Sequence, residues 1–178
     1  MSVFLETPRL RLRTVTEDDL DEVVALDNDP EVMRYLNGGR PASRDEVRTE
    51  ALRRLMGRGF WAAETRGTGE WLGWFSLEPL AREGEVELGY RLRRAAWGLG
   101  YATEGARALL DKGFAELGVR RVSAQTMTVN AGSRRVLEKC GLRYVRTFFE
   151  EWPDVIEGSE QGDVEYALTR EDWLADRA

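Results

Sequence analysis

Apolar residues Leu10, Leu12 and Val15 alternate with arginines and a threonine, the period of an extended strand. The period then changes. Thr16-Glu17-Asp18-Asp19 is a capping sequence with an acidic first turn, and Leu20, Val23, Val24 and Leu26 follow at helical spacing. Asn28-Asp29-Pro30 stops this helix, and Asn37-Gly38-Gly39 breaks the short segment after it. Ser43-Arg44-Asp45-Glu46 repeats the capping pattern ahead of Val47, Leu52, Leu55 and Met56, which predicts a second helix. From Phe60 to Leu92 the runs 60–63, 71–75 and 86–92 read as strands separated by Gly-rich turns, an antiparallel meander. Along the last of them Val86, Leu88, Tyr90 and Leu92 share one face, and Glu87 and Arg91 the other. Ala102, Ala106, Leu109, Leu110 and Leu117 return to helical spacing, 119–129 is extended, and 133–140 is a helix closed by Gly141. Strands at 143–149 and 163–168 complete the chain. The order βααβββαβαββ contains no internal repeat or linker, so residues 1–178 are expected to form one α/β (α+β) domain. Its expected core is a mixed, mostly antiparallel sheet of six to seven strands flanked by about four helices.

Composition narrows the chemistry. The chain has 178 residues, 42% hydrophobic and 33% charged, ample for one packed core. It contains one cysteine and no histidine, which removes internal disulfides, the commonest metal ligand and histidine-based catalytic triads, so no metal site is expected. A net charge of −6 argues against a nucleic-acid partner. No stretch approaches the roughly 20 apolar residues of a membrane span, and Glu6 interrupts the N-terminus before a leader could form, so a cytoplasmic protein without membrane contact is expected.

The stretch Trp97-Gly98-Leu99-Gly100-Tyr101-Ala102-Thr103-Glu104 follows a predicted strand and opens a predicted helix. Glycines let backbone approach a ligand closely, and the first N–H groups of a helix lack intrahelical acceptors, so such a turn suits a phosphate. A plain strand-to-helix connection explains the same letters equally well. A triphosphate-binding loop needs Gly-Lys-Ser/Thr, and Gly100 is followed by Tyr101-Ala102. A dinucleotide fingerprint needs Gly or Ala where Thr103 stands, which makes NAD the weaker ligand.

Three motifs in order carry a resemblance across nearly the whole chain. They are Glu6-Thr7-Pro8-Arg9-Leu10-Arg11-Leu12-Arg13, then Glu87-Leu88-Gly89-Tyr90 leading to the glycine turn, then Asn130-Ala131-Gly132-Ser133-Arg134-Arg135-Val136-Leu137-Glu138-Lys139-Cys140-Gly141-Leu142. The chain resembles the GCN5-related N-acetyltransferase (GNAT) superfamily, specifically its branch similar to the RimJ/RimL ribosomal-protein N-terminal acetyltransferases. Trp97 stands where Gln or Arg usually opens the loop, and Leu142 where Phe usually follows the glycine. The resemblance implies acetyl-coenzyme A as cosubstrate and a primary amine as acceptor, a protein N-terminal α-amine first and a small-molecule amine second. It implies direct attack of the amine in a ternary complex; a non-catalytic acyl-coenzyme A sensor is the alternative of another class, and a homodimer is possible.

By the same resemblance, strand 88–92 splays from strand 122–126, and the backbone of Tyr90, Arg91 and Leu92 holds the pantetheine arm. Trp97, Gly98, Leu99, Gly100, Tyr101, Ala102 and Thr103 surround the diphosphate, and Asn130, Ser133 and Arg134 complete the coenzyme site. Glu87 is the expected general base, against the plainer reading of a solvated or Arg91-paired carboxylate. Ser133 is the expected proton donor, against that of an ordinary helix cap, because 133–139 lacks the Tyr many relatives place there. Cys140 reads as a buried apolar filler, Glu104 as structural, and the tryptophans as packing. The acidic segment 150–163 suits a loop beside a cationic acceptor.

Overall fold

The opening alternation folds as a hairpin, not as a lone strand. In the computed structural model, which describes residues 2–151 and 155–178, Val3–Glu6 (β1) pairs antiparallel with Leu10–Arg13 (β2). The chain reverses at Thr7-Pro8-Arg9, where the Thr7 N–H donates to the Leu10 carbonyl (2.9 Å) and the Leu10 N–H to Thr7 Oγ1 (2.8 Å). A 3-10 turn, Glu17–Asp19, then leads into α1 (Leu20–Asp27) and α2 (Pro30–Asn37). The third helix, α3, is continuous but runs through a π-helical turn: Arg44–Glu46, Val47–Leu52, then Arg53–Leu55. Both predicted capping boxes form, at Thr16 with Asp19 and at Ser43 with Glu46. Buried Arg13 grips Asp19 through two nitrogens (3.0 and 2.8 Å) and reaches Glu64 (3.0 Å), tying the start of α1 to the sheet.

The meander follows as β3 (Phe60–Thr65), β4 (Trp71–Pro79) and β5 (Glu85–Leu92). After it come α4 (Tyr101–Glu116), β6 (Arg121–Met127), α5 (Ala131–Lys139), β7 (Arg143–Phe148), β8 (Asp163–Thr169) and α6 (Arg170–Ala175). All strands join one sheet in the order β1-β2-β3-β4-β5-β6-β8-β7, antiparallel except for β5 beside β6. Eight strands and six helices among the described residues exceed the expected seven and four. The additions are short: β1 is four residues, α2 lies between two breakers, and α6 is started by a Thr169 cap on the Asp172 N–H (3.2 Å). Residues 152–154 of the acidic segment lie outside the described residues.

Helices cover both faces of the sheet. Leu10, Leu12, Phe75, Leu77, Leu88, Leu109, Leu110, Phe114, Val122 and Leu137 form a core under α4 and α5. Val15, Leu20, Val23, Leu26, Leu52, Leu55, Phe60 and Trp74 form a second core under α1 and α3. Trp71 and Trp74 are buried as packing residues, whereas Trp97 is 47% exposed.

The functional feature of this sheet is where its one parallel ladder ends. β5 and β6 pair only at Glu85–Arg121, Val86–Val122 and Glu87–Ser123. β5 nevertheless stays on β4 as far as Leu92, and β6 stays on β8 as far as Met127. The two middle strands therefore fork, as the resemblance implied.

The base of α4 meets the sheet at Gly105, where an added Cβ would overlap the Phe75 ring. Gly105→Ala is expected to destabilise the protein by about 1–3 kcal/mol through overpacking, outweighing a helix-propensity gain of about 1 kcal/mol. Urea unfolding checks this, and equal or raised stability would contradict the packing described.

Candidate active site

Beyond the fork, β5 ends at Leu92 and a short 3-10 turn (Arg94–Ala96) delivers the chain to Trp97. The Trp97 indole Nε1 donates to the Leu92 carbonyl at 2.9 Å, so the turn is anchored to the end of the strand. Gly98 (φ 72°) and Gly100 (φ 84°) are both left-handed, which side chains with a Cβ adopt only at a cost. Gly100 is the N-cap of α4 and supplies no side chain to cap it. The first helical bond runs from the Glu104 N–H to the Gly100 carbonyl (3.0 Å). The preceding amides of Tyr101, Ala102 and Thr103 have no intrahelical acceptor, and they sit at the positive end of a sixteen-residue helix.

Glu104 is turned away from that opening. It accepts from Thr7 Oγ1 (2.6 Å), from the Arg9 N–H (3.0 Å) and from Arg9 Nε (2.8 Å). Burial favours its neutral form, but these hydrogen bonds outweigh burial and hold the carboxyl below its ordinary value. Arg9 also donates through Nη1 to the Leu99 carbonyl (2.9 Å) and lies over the Tyr101 ring, 4.3 Å from its centre. Thr7 and Arg9 were visible only as letters of a motif; nothing local signals a contact with a residue more than ninety positions away.

Across the fork, Asn130 caps α5, its side chain accepting from the Ser133 N–H at 3.2 Å. Ser133 Oγ in turn accepts from Tyr90 Oη at 3.4 Å, a contact joining the free part of β5 to the helix that follows β6. Burial raises the Tyr90 hydroxyl above its ordinary value, against a smaller opposing effect of the Ser133 hydrogen bond, so the phenol keeps its proton at neutral pH. Tyr90 on the facing strand thus brings a phenol to the fork, where 133–139 of α5 has none. Arg134 donates to Tyr166 Oη (3.1 Å) and to the Thr128 carbonyl (3.1 Å), holding α5 against β8.

Glu87 and Arg91 occupy the opposite face of β5 from Tyr90, as the alternation predicts. Arg91 pairs with Asp27 of α1 at 2.7 Å, and not with Glu87. Glu87 sits in the last parallel pair before the fork, opposite Ser123 on one side and Glu78 on the other. Burial raises its carboxyl above the ordinary value; Glu78 and, more weakly, Glu165 add to this, while Arg54 opposes it. Glu87 and Ser133 are thus brought to the same fork from opposite faces of the sheet. The acidic segment reaches toward α2, where Arg34 and Glu157 lie 3.4 Å apart.

Cys140, in contrast, is buried at the end of α5, and burial pushes its thiol up to about 11. Cys140 is expected to alkylate at least about tenfold more slowly in the native protein than in urea at pH 8, followed by mass spectrometry. A native rate equal to that of the unfolded chain would contradict its burial.

The family model described as "Acetyltransferase (GNAT) domain" matches residues 9–143. An "FsC-acetyl coenzyme A-N(2)-transacetylase" of Aspergillus fumigatus is 38% identical over 184 aligned residues, covering 96% of this chain and 77% of the relative. A GNAT-family acetyltransferase of Bacillus anthracis superimposes with a TM-score of 0.81 at 26% identity, covering 96% of this chain and 99% of that one. RimL, a ribosomal L7/L12 alpha-N-protein acetyltransferase solved with coenzyme A, superimposes with a TM-score of 0.79 and covers 96% of this chain and 99% of that one. Its 16% identity shows a shared fold alone. With the forked sheet, the glycine turn and the match over most of its length, the chain belongs to the GNAT acetyltransferases, whose members use acetyl-coenzyme A to acetylate amines.

Proposed function

We propose that this enzyme acetylates a primary amine carried by a small molecule, using acetyl-coenzyme A. The observation that carries the proposal is Glu87: a carboxylate with a raised pKa, free of any ion pair among the described residues, at the point where the sheet opens. A cationic amine entering there meets the carboxylate of Glu87, which has no ion-pair partner among the described residues. The relative at 38% identity is named as an acetyl coenzyme A N(2)-transacetylase of FsC, and its name mentions no protein N-terminus. The RimJ/RimL-like motifs make a protein N-terminal α-amine the second reading.

Bound acetyl-coenzyme A brings an acetyl group activated as a thioester. The residues fit it in three places. The left-handed glycines bare the amides from Gly98 to Ala102 for a diphosphate. On the free edge of β5 the backbone groups of Tyr90 face the gap and suit the pantetheine amides, whereas the Leu92 carbonyl is already engaged by Trp97 and the expected Arg91 backbone contact is ruled out because its carbonyl is turned toward β4 at Gly73. Asn130 presents its amide beside the same gap while capping α5.

The proton chemistry divides between the two faces. On one, Glu87 takes a proton from the acceptor ammonium, directly or through water, and leaves the amine nucleophilic. On the other, Tyr90 Oη and Ser133 Oγ hold a proton available to the departing thiolate. The demand on the base depends on the acceptor: at about pH 7.4, freeing an α-amine costs about 0.5 kcal/mol and a lysine-type amine about 4 kcal/mol. With its thiol buried and protonated, Cys140 offers no covalent route, which supports attack within a ternary complex.

The test is a panel of small amines and short peptides incubated with acetyl-coenzyme A and read by a mass gain of one acetyl group. Acetylation of small amines with inert peptides supports the proposal, and the reverse result establishes the second reading. Glu87→Gln is expected to lower kcat by about a hundredfold or more while the KM for acetyl-coenzyme A stays within about threefold. The sign of its pH effect follows from the raised pKa. Below that pKa Glu87 is protonated and cannot accept a proton, so kcat/KM falls on the acid side, at a pH above the ordinary carboxylate range. The variant is expected to lose this acid limb; an unchanged profile would remove Glu87 from the mechanism.

A further inference from the structure

The contact of Arg9 with the glycine turn has a directional consequence. The Leu99 carbonyl and the Gly100 N–H belong to one planar trans peptide and point to opposite sides of it. Arg9 Nη1 holds that carbonyl at 2.9 Å. The Gly100 N–H is therefore aimed away from Arg9, toward the open side of the turn. Left-handed glycines on either side of Leu99 give this peptide the freedom to rotate, so its orientation needs an external hold. We infer that Arg9 is a positioning residue for coenzyme binding, which orients the Gly100 amide toward the diphosphate from the hairpin corner between β1 and β2. The inference rests on the acetyl-coenzyme A site proposed above.

Three further contacts fix Arg9 in that role. Its Nε pairs with Glu104 at 2.8 Å, and Thr7 fastens the same carboxylate at 2.6 Å. Its guanidinium packs over Tyr101, the first residue of α4. Its Nη2 lies close enough to Gly100 that a Cβ there would come within 3.2 Å. The pairing has an electrostatic effect as well. Glu104 stands in the first turn of α4, where an uncompensated carboxylate would repel a diphosphate, and Arg9 supplies the compensating charge. Lysine reproduces the charge but not the fork, since one ammonium cannot span both the Glu104 carboxylate and the Leu99 carbonyl in this geometry.

Arg9→Lys and Arg9→Gln separate these possibilities from a general loss of structure. Each is expected to raise both the KM for acetyl-coenzyme A and the Kd for coenzyme A by titration calorimetry about tenfold, with kcat within about twofold of wild type. Labelled with ¹⁵N, wild type is expected to show a large shift of the Gly100 amide on adding coenzyme A, and Arg9→Lys a shift less than half as large. Glu104→Gln, which keeps Arg9 bonded to Leu99, is expected to weaken binding less than Arg9→Gln. Unchanged KM and Kd in both Arg9 variants, or a kcat loss with KM unaltered, would overturn the inference while leaving the coenzyme site in place. A wild-type protein that binds no coenzyme A would overturn the proposed function itself.

Discussion

Past Glu87 and Ser123 the backbones of β5 and β6 part, while each keeps its outer partner, β4 for one and β8 for the other. Ladder groups facing into such a gap cannot stay unpaired without cost, and neither strand can turn to satisfy the other. The site follows from this. The open edge can receive an extended ligand, and because β5 and β6 run parallel both following helices start at the open mouth of the fork, α4 on the β5 side with an uncapped N-terminus and α5 on the β6 side with Asn130 and Ser133. The two helices begin at the ends of the strands that diverge, so the ligand-binding geometry is a property of the sheet, not of a flexible loop.

The fork also lets one strand present the proposed base and the proposed proton donor to a single gap. Residues 87 and 90 on β5 point to opposite faces, and in a continuous sheet they would be separated by a wall of paired backbone. Where the pairing stops, that wall has a slot. Glu87 then approaches from the face covered by α1 and α3, and Tyr90 with Ser133 from the face covered by α4 and α5. Arg91 serves the first face by locking onto Asp27, which draws α1 against β5 and leaves Glu87 without a bonded cation.

Much of this was legible in the sequence because it is local. Capping boxes at Thr16 and Ser43, the left-handed glycines around Leu99, the Asn130 cap and the alternation of Glu87 with Tyr90 are all decided within a few residues. β1 was lost because the four residues Val3-Phe4-Leu5-Glu6 are too few to show a period, and α6 because its cap follows a strand without a break. Long-range pairings were illegible for a different reason. Thr7 and Arg9 meet Glu104, and Tyr90 meets Ser133, only after the sheet order is set, and no spacing in the chain encodes that order. The fork itself came from family resemblance and not from the pattern of apolar residues.

The carboxylates near the fork differ in their cation partners, and this sets the proposed base, Glu87, apart. Glu78 is bonded to Arg54 at 2.6 Å, and Glu165 is flanked by Arg121 (3.6 Å) and Arg146 (3.3 Å). Each of these two carboxylates therefore has arginine partners of its own. Glu87 has no cation bonded to it among the described residues, and burial raises its proton affinity. The fixed charges of Glu78 and Glu165 then act on it in the same direction as burial. Arg54 limits the effect by pulling the other way, so Glu87 is a stronger base than an exposed glutamate and still ionises to accept a proton.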